Sequence, residues 1–419
     1  MKLSIVTLTF LFISSAVLKA QPYTVKNGNT RHRFAQLELG LTQIITPNAG
    51  MTQVIASDGT VKNYQFGTLS TTAIFIGATH FWGHLDWGLN IPVFSTGAGM
   101  KFGVDLQTKI YPYRIANNKL RPFIGISMSP FGYNQNDGGQ YSRVKWPIVG
   151  GLNYYKNGHQ LELGITYNYN RQFDYYISRT TIGKVELPKF MFNLTYKYTL
   201  ETTGSAERNW RNGITKRITD SLGALGNLNG FSVGIGPSAA FRVAESPYND
   251  EGKPFLGKHS FKLFPDISLG YYFHKPDMHL NLAYRSNGSS ISAYGVSQDA
   301  NRQSITLEAY KFLADYHGFI PFIGPNVSYE NLSVVENDGT NAPVTATYKG
   351  FKPGITFGWD IRPDRLQSWI LRTNLRWTPN LGVDMPDGKK INLDQLEFNF
   401  IQLVIYPEKM FGKKLKLAK

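Results

Sequence analysis

The stretch Leu161-Glu162-Leu163-Gly164-Ile165-Thr166-Tyr167-Asn168-Tyr169-Asn170 alternates apolar and polar residues without a break. Successive side chains of an extended strand point to opposite faces, so Leu161, Leu163, Ile165, Tyr167 and Tyr169 share one side and Glu162, Gly164, Thr166, Asn168 and Asn170 the other. The pattern recurs. Phe190, Phe192, Leu194, Tyr196 and Tyr198 oppose Met191, Asn193, Thr195, Lys197 and Thr199, and Leu85, Trp87, Leu89 and Ile91 oppose Asp86, Gly88 and Asn90. Trp369, Leu371, Thr373, Leu375 and Trp377 oppose Ile370, Arg372, Asn374 and Arg376. In a soluble sandwich the apolar face is the core; in a membrane barrel it meets lipid, and the polar face is enclosed.

Three features select the barrel. Aromatic residues gather at strand ends (Tyr111 and Tyr113, Tyr167 and Tyr169, Tyr196 and Tyr198, Tyr271-Tyr272-Phe273), as in the girdles at a bilayer's two interfaces. The polar face is rich in Gly, Asn and Thr and carries isolated charges of both signs: Glu38, Asp105, Lys109, Glu162, Lys197, Arg285, Glu308, Arg372 and Arg376. Connections also alternate between short turns, near 82–84, 117–119, 157–159, 274–277 and 364–365, and long loops, near 48–65, 134–142, 173–184, 246–258, 337–343 and 384–390. Short turns on one side and long loops on the other mark an outer-membrane barrel.

The chain is also duplicated. Pro122-Phe123-Ile124-Gly125 returns as Pro321-Phe322-Ile323-Gly324, Leu89-Asn90-Ile91 as Leu280-Asn281-Leu282, and Lys189-Phe190-Met191-Phe192-Asn193 as Gln395-Leu396-Glu397-Phe398-Asn399. Pro147-Ile148 answers to Gly354-Ile355. Eight strands are expected in each copy, centred near Leu39, Phe75, Leu89, Lys109, Ile126, Gly150, Ile165 and Leu194, then near Ile235, Leu269, Leu282, Tyr310, Val327, Phe357, Leu375 and Phe400. Each copy resembles the eight-stranded OmpX/OmpA-type barrel family in strand count, loop asymmetry and aromatic placement. No family motif matches residue by residue, so the resemblance implies a fold and no site.

The expected fold is therefore all-β: a transmembrane antiparallel barrel of about sixteen strands from two repeats. A single sixteen-stranded ring needs only one closure and is the preferred form; two tandem eight-stranded barrels are the alternative. The expected organisation is a signal peptide over 1–20, repeats over 21–201 and 230–407, a helical periplasmic joint over 202–229 and a basic tail over 408–419. The signal peptide rests on Met1-Lys2, an apolar run from Leu3 to Leu18, and Ala20 at the break. Its removal takes the formal charge from +15 to +13, because Lys2 and Lys19 leave with it. The joint reads as an amphipathic helix through Trp210, Ile214, Ile218, Leu222 and Leu225, suited to the headgroup zone, a lumen plug, a partner or a plain spacer.

No cysteine is present, which excludes disulfides and thiolate metal sites. His80 and His84 bracket one turn and His274 and His279 its counterpart, but no third ligand or nucleophile accompanies either pair, so no metal, cofactor or enzymatic activity is assigned. Basic residues are dispersed, which argues against nucleic acid. The expected partners are the lipid bilayer and lipopolysaccharide of the outer membrane, with other envelope proteins as further candidates. Function is expected to be a porin-like or transport channel for small solutes, with Arg285, Arg372 and Arg376 leading a cationic lining. The alternative is a non-conducting barrel that recruits other proteins through its loops or helix.

Overall fold

A computed structural model describes residues 35–97, 100–134, 140–201, 214–242, 246–259, 261–315, 319–362, 366 and 368–411. The expected signal peptide, Trp210 and most of the basic tail lie outside them. Sixteen strands form the two barrels, and each expected strand centre falls within one of them. The first eight are β1 (Ala35–Thr46), β2 (Leu69–His80), β3 (Leu85–Thr96), β4 (Asp105–Ile110), β5 (Lys119–Asn134), β6 (Ile148–Lys156), β7 (His159–Tyr167) and β8 (Phe190–Glu201). The second eight are β9 (Gly230–Arg242), β10 (Phe261–Phe273), β11 (Met278–Ala293), β12 (Val296–Phe312), β13 (Phe319–Asn337), β14 (Val344–Ile361), β15 (Trp369–Thr378) and β16 (Gln395–Ile405).

Each set closes on itself. Strand β8 pairs antiparallel with β1, from Gln36↔Glu201 to Ile45↔Phe192, and β16 pairs with β9, from Val233↔Ile405 to Arg242↔Gln395. The preferred single ring is thus corrected to the tandem alternative. The physical reason is register: all ten consecutive positions from Gln36 to Ile45 find partners on β8, which satisfies that edge before β9 is reached. The duplication is structural as well, since Phe123 and Phe322 occupy the fifth strand of their own ring and both are buried inside. Gly125 and Gly324 follow them, and a methyl at either would strike the carbonyl of Thr108 or Ala309 on the fourth strand.

Burial is inverted relative to a soluble protein. Leu161, Leu163 and Ile165 are 48%, 59% and 47% exposed, while Glu162 between them is 2% exposed. An apolar outside around a charged inside is stable only if hydrocarbon wets the outside. The chain is an integral membrane protein made of two eight-stranded barrels of outer-membrane type. At the end that holds the chain's inter-barrel joint, turns are tight. Asn157-Gly158 takes positive φ at both residues (49° and 89°), the two-residue hairpin that matches strand twist.

The barrels pack side by side through faces that would otherwise meet lipid. Trp87 meets Trp359 edge-to-face at 4.9 Å between ring centroids and Phe398 at 5.9 Å, amid Ala78, Leu89, Leu371 and Phe400. Below them Phe81 packs 5.1 Å from Phe319. Phe81 and Trp82 both carry positive φ (54° and 58°), a costly conformation for aromatic residues, which this packing and the Arg114 guanidinium 4.7 Å over Trp82 hold in place. At the opposite end Arg179 donates to the Tyr294 carbonyl (2.8 Å), and the Tyr294 hydroxyl donates to the Tyr176 carbonyl (2.7 Å).

Helix α1 (Ile214–Ala224) follows β8 and docks on the second barrel, with Ile218 and Leu222 buried against Leu228 and Leu366. Leu366 lies in the β14–β15 turn, so the helix is seated on the turn end of that barrel. Leu225 falls beyond the helix and is 69% exposed. The Ile214 side chain lies outside the described residues.

Closure is testable because the native chain has no cysteine. Leu41 and Tyr196 are cross-strand partners with outward-facing side chains. The double variant Leu41→Cys/Tyr196→Cys is expected to form an intramolecular disulfide on oxidation, detected as a cross-linked peptide by mass spectrometry. In a sixteen-stranded ring these positions would lie on strands that do not pair, and no such peptide would appear.

Candidate functional site: the charged barrel interiors

The interior of the first barrel is built by alternation. Glu38 on β1, Asp86 on β3, Lys109 on β4, Arg121 on β5, Glu162 on β7 and Lys197 on β8 all occupy inward positions and are buried. Lys197 sits at the centre, with Nζ 3.0 Å from Glu38, 3.0 Å from Asp86 and 3.4 Å from Glu162. Lys109 pairs with Glu162, which also accepts from the Tyr111 hydroxyl at 2.9 Å. Gln160 donates to Glu38 at 2.5 Å. Arg121 donates to Asn153 (3.1 Å) and to the Gly83 carbonyl (2.9 Å), over the ring of Tyr111 at 4.3 Å. Three acidic side chains in this layer, Glu38, Asp86 and Glu162, thus share the interior with three basic ones, Lys109, Arg121 and Lys197.

Phe75 from β2 completes the layer. The Lys197 ammonium lies 5.1 Å from its ring centroid, and a methyl at Gly88 would collide with the ring itself. Toward the long loops, Asp105 stands apart from cations and is held by neutral donors: Ser127, Ser129 (2.6 Å), Gln107 (2.7 Å) and Asn90 (3.2 Å). Above it the hairpins Gly50–Ile55 with Val61–Phe66 and Gln172–Tyr176 with Ile182–Glu186 fold over the mouth. Their Phe66, Tyr175, Val185 and Leu187 pack with Ile44, Leu69, Phe131 and Met191 as an apolar layer.

The second barrel repeats the plan with arginine. Glu397 bridges Arg285 and Arg302, and Arg302 grips Glu330 with two bonds of 2.7 and 2.6 Å. Arg376 joins Asp266 (2.5 Å) to Glu308. Arg372 holds Asp360 in a second two-point contact of 2.7 and 2.9 Å. Guanidinium suits such places because its planar fork meets carboxylates at two points and stays charged when buried. Toward the turns, Tyr272, Tyr310, Phe312 and Phe322 form a buried aromatic layer, with Arg362 4.9 Å over Phe312. Toward the loops, the hairpin Gly382–Asp384 with Lys390–Asn392 brings Val383 and Ile391, with flanking Leu381, Met385 and Leu393, against Leu332, Val334 and Ala346.

All nine lumen candidates, Glu38, Asp105, Lys109, Glu162, Lys197, Arg285, Glu308, Arg372 and Arg376, point inward and are buried. They fall into two groups, one per barrel, and line no common passage. Arg121, Asp266, Arg302, Glu330, Asp360 and Glu397 belong to the same lattices and were not singled out from sequence. The signal was there: Arg302 is in phase with Ser304, Thr306 and Glu308, and Glu397 with Asn399. His84 donates through Nδ1–H to the Tyr111 carbonyl at 2.8 Å, and His279 stacks on Tyr310 at 5.2 Å beside Ser232. Among the described residues no three His, Cys, Asp or Glu side chains converge as metal ligands.

No family model matches the chain, and neither does any curated protein. Among solved structures, Neisserial surface protein A is similar over 43% of this chain and 97% of its own, at 14% identity and a TM-score of 0.30. Ail, the attachment invasion locus protein of Yersinia pestis, is similar over 42% of this chain and 96% of its own, at 9% identity and a TM-score of 0.27. Salmonella typhi OmpF spans 88% of this chain and 97% of its own, at 8% identity and a TM-score of 0.16. Scores this low carry no weight; the fold rests on the closed hydrogen-bond ladders and the inverted burial.

Removing one partner of a buried ion pair strands the other, at a cost of about 3–5 kcal/mol. Glu397→Ala, which strands Arg285 and Arg302 together, is expected to lower stability in urea unfolding from lipid vesicles by about that amount. Lys62→Ala, which removes only the exposed pair with Asp58, is expected to cost less than about 1 kcal/mol. Equal effects would show that the interior pairs are hydrated.

Proposed function

We propose that the chain is a non-conducting outer-membrane protein whose two filled barrels hold a recognition surface outside the bilayer. The observation that carries this reading is the filling of both interiors along their length: an apolar or aromatic layer, an ion-paired layer, and a loop hairpin over each mouth. An eight-stranded ring encloses just enough space for its own side chains. Permeation, the other reading of the charged inner face, requires water where these pairs lie.

Strands β11 to β14 support the recognition role. They run 16, 17, 19 and 18 residues, whereas about 9–11 suffice to cross a bilayer. Their upper outward positions are polar (Ser286, Ser290, Asp299, Asn301, Gln303) and exposed, so this part of the wall stands in water. Strand β14 pairs with β13 along its whole length, but with β15 only from Ile355 to Ile361. Residues 344–354 therefore present an edge with no hydrogen-bonded strand partner on that side among the described residues, the short strand Gly382–Asp384 lying near it without pairing. Such an edge accepts an extended polypeptide through main-chain hydrogen bonds.

In planar lipid bilayers the purified protein is expected to give no stable open-channel conductance. Steady conductance of porin size would overturn this reading and restore permeation. A photo-crosslinker placed at Thr347 is expected to capture a polypeptide partner in intact cells, whereas one at Lys62, on the first barrel's hairpin, is not. Absence of capture at Thr347 would remove the edge from the account.

A further inference from the structure

Outside the two interiors, the described residues form a cavity of about 270 Å³ on the rim of the first barrel, where the lipid-facing wall meets the long loops. Its lining divides by chemistry. On the loop side lie Arg171, Glu186 and Lys189, with Met51 beside Glu186; on the wall side lie Phe190 and Phe192. Arg171 contacts Glu186 at 2.7 Å, and both remain partly exposed (33% and 26%). Lys189 is exposed, with its ammonium 5.4 Å from the Phe190 ring centroid. Two cations against one carboxylate leave the polar end with a net positive charge. The apolar end is open below: Phe190 and Phe192 are exposed on the outer face of β8, and Leu194 continues their stripe, with Ile45 beside Phe192 on β1.

We propose that this cavity binds a phosphate-bearing lipid of the outer leaflet. Its phosphate would lie at Lys189 and Arg171, and its acyl chain along Phe190, Phe192 and Leu194. The two halves of the lining match the two halves of such a molecule and lie in the order a membrane imposes. A free phosphate would use only the cations and leave the aromatic track empty. A zwitterionic lipid would gain little from the positive end. Ammonium–phosphate contacts are charge-assisted, and at a partly desolvated rim they are stronger than in open water. The proposal is independent of whether the barrels conduct.

The test uses the full-length protein in nanodiscs of phosphatidylcholine, with lipid A as the probe and retained lipid measured by native mass spectrometry. Wild type is expected to retain lipid A, to retain dephosphorylated lipid A poorly, and not to release lipid A on addition of inorganic phosphate. Lys189→Ala is expected to weaken retention about tenfold, the effect of losing one charge-assisted contact. Arg171→Gln is expected to act in the same direction. Lys184→Ala removes an exposed cation of the same hairpin outside the cavity and is expected to leave retention unchanged. Three results would each overturn the proposal: retention by Lys189→Ala equal to wild type, equal loss in Lys184→Ala, or release by inorganic phosphate alone. Unchanged near-ultraviolet circular dichroism of the variants separates loss of the site from loss of the fold.

Discussion

Lipid offers no hydrogen bonds, and that constraint organises the molecule. Every backbone N–H and C=O at membrane depth must find a partner within the sheet, so each eight-stranded set has to close on itself. Closure creates an inside too narrow for bulk water and too polar to leave unpaired. Lys197 among Glu38, Asp86 and Glu162, and Glu397 between Arg285 and Arg302, answer that requirement. Buried pairs of this kind add little net stability over an apolar core, because desolvation cancels much of the attraction. They do specify a register: a strand shifted by one residue would turn Glu38 or Arg372 into hydrocarbon.

The second constraint is lateral. Two barrels joined by a short segment could drift apart in the bilayer, yet Trp87, Trp359 and Phe398 lock them face to face. Without a hydrophobic driving force between surfaces already in lipid, such an interface depends on close packing and ring geometry. The left-handed Phe81-Trp82 turn at one end and the Arg179–Tyr294 contact at the other set the relative height of the two rings. One consequence is that the loop hairpins of the first barrel and the long β11–β14 wall of the second share a single outer face.

Much of this was legible in the residues, and for a definite reason. A period of two is dictated by the pleat, so Leu161 to Tyr169 declared both the strand and its lipid-facing side, and the phase of Glu162 placed it inside. The repeat of Pro122-Phe123-Ile124-Gly125 at Pro321 declared the second copy at the same strand of its ring. Closure was not legible. Alternation says which way a side chain points and is silent on which strand lies beside it, so β8 beside β1 and β8 beside β9 write the same pattern. The inter-barrel face escaped notice for a related cause: Trp87 and Trp359 carry the same outward phase whether they meet lipid or each other. Arg302 and Glu397 were readable by phase, but their pairing spans 95 positions of chain and exists only once the ring is closed.

The central claim is that sixteen strands make two narrow, solid rings. Electron cryo-microscopy of the protein in a lipid nanodisc tests it most directly, in a section through the membrane plane. The account predicts two adjoining rings of equal width, each filled with density and in contact along one side. One wide ring around an empty centre would contradict it.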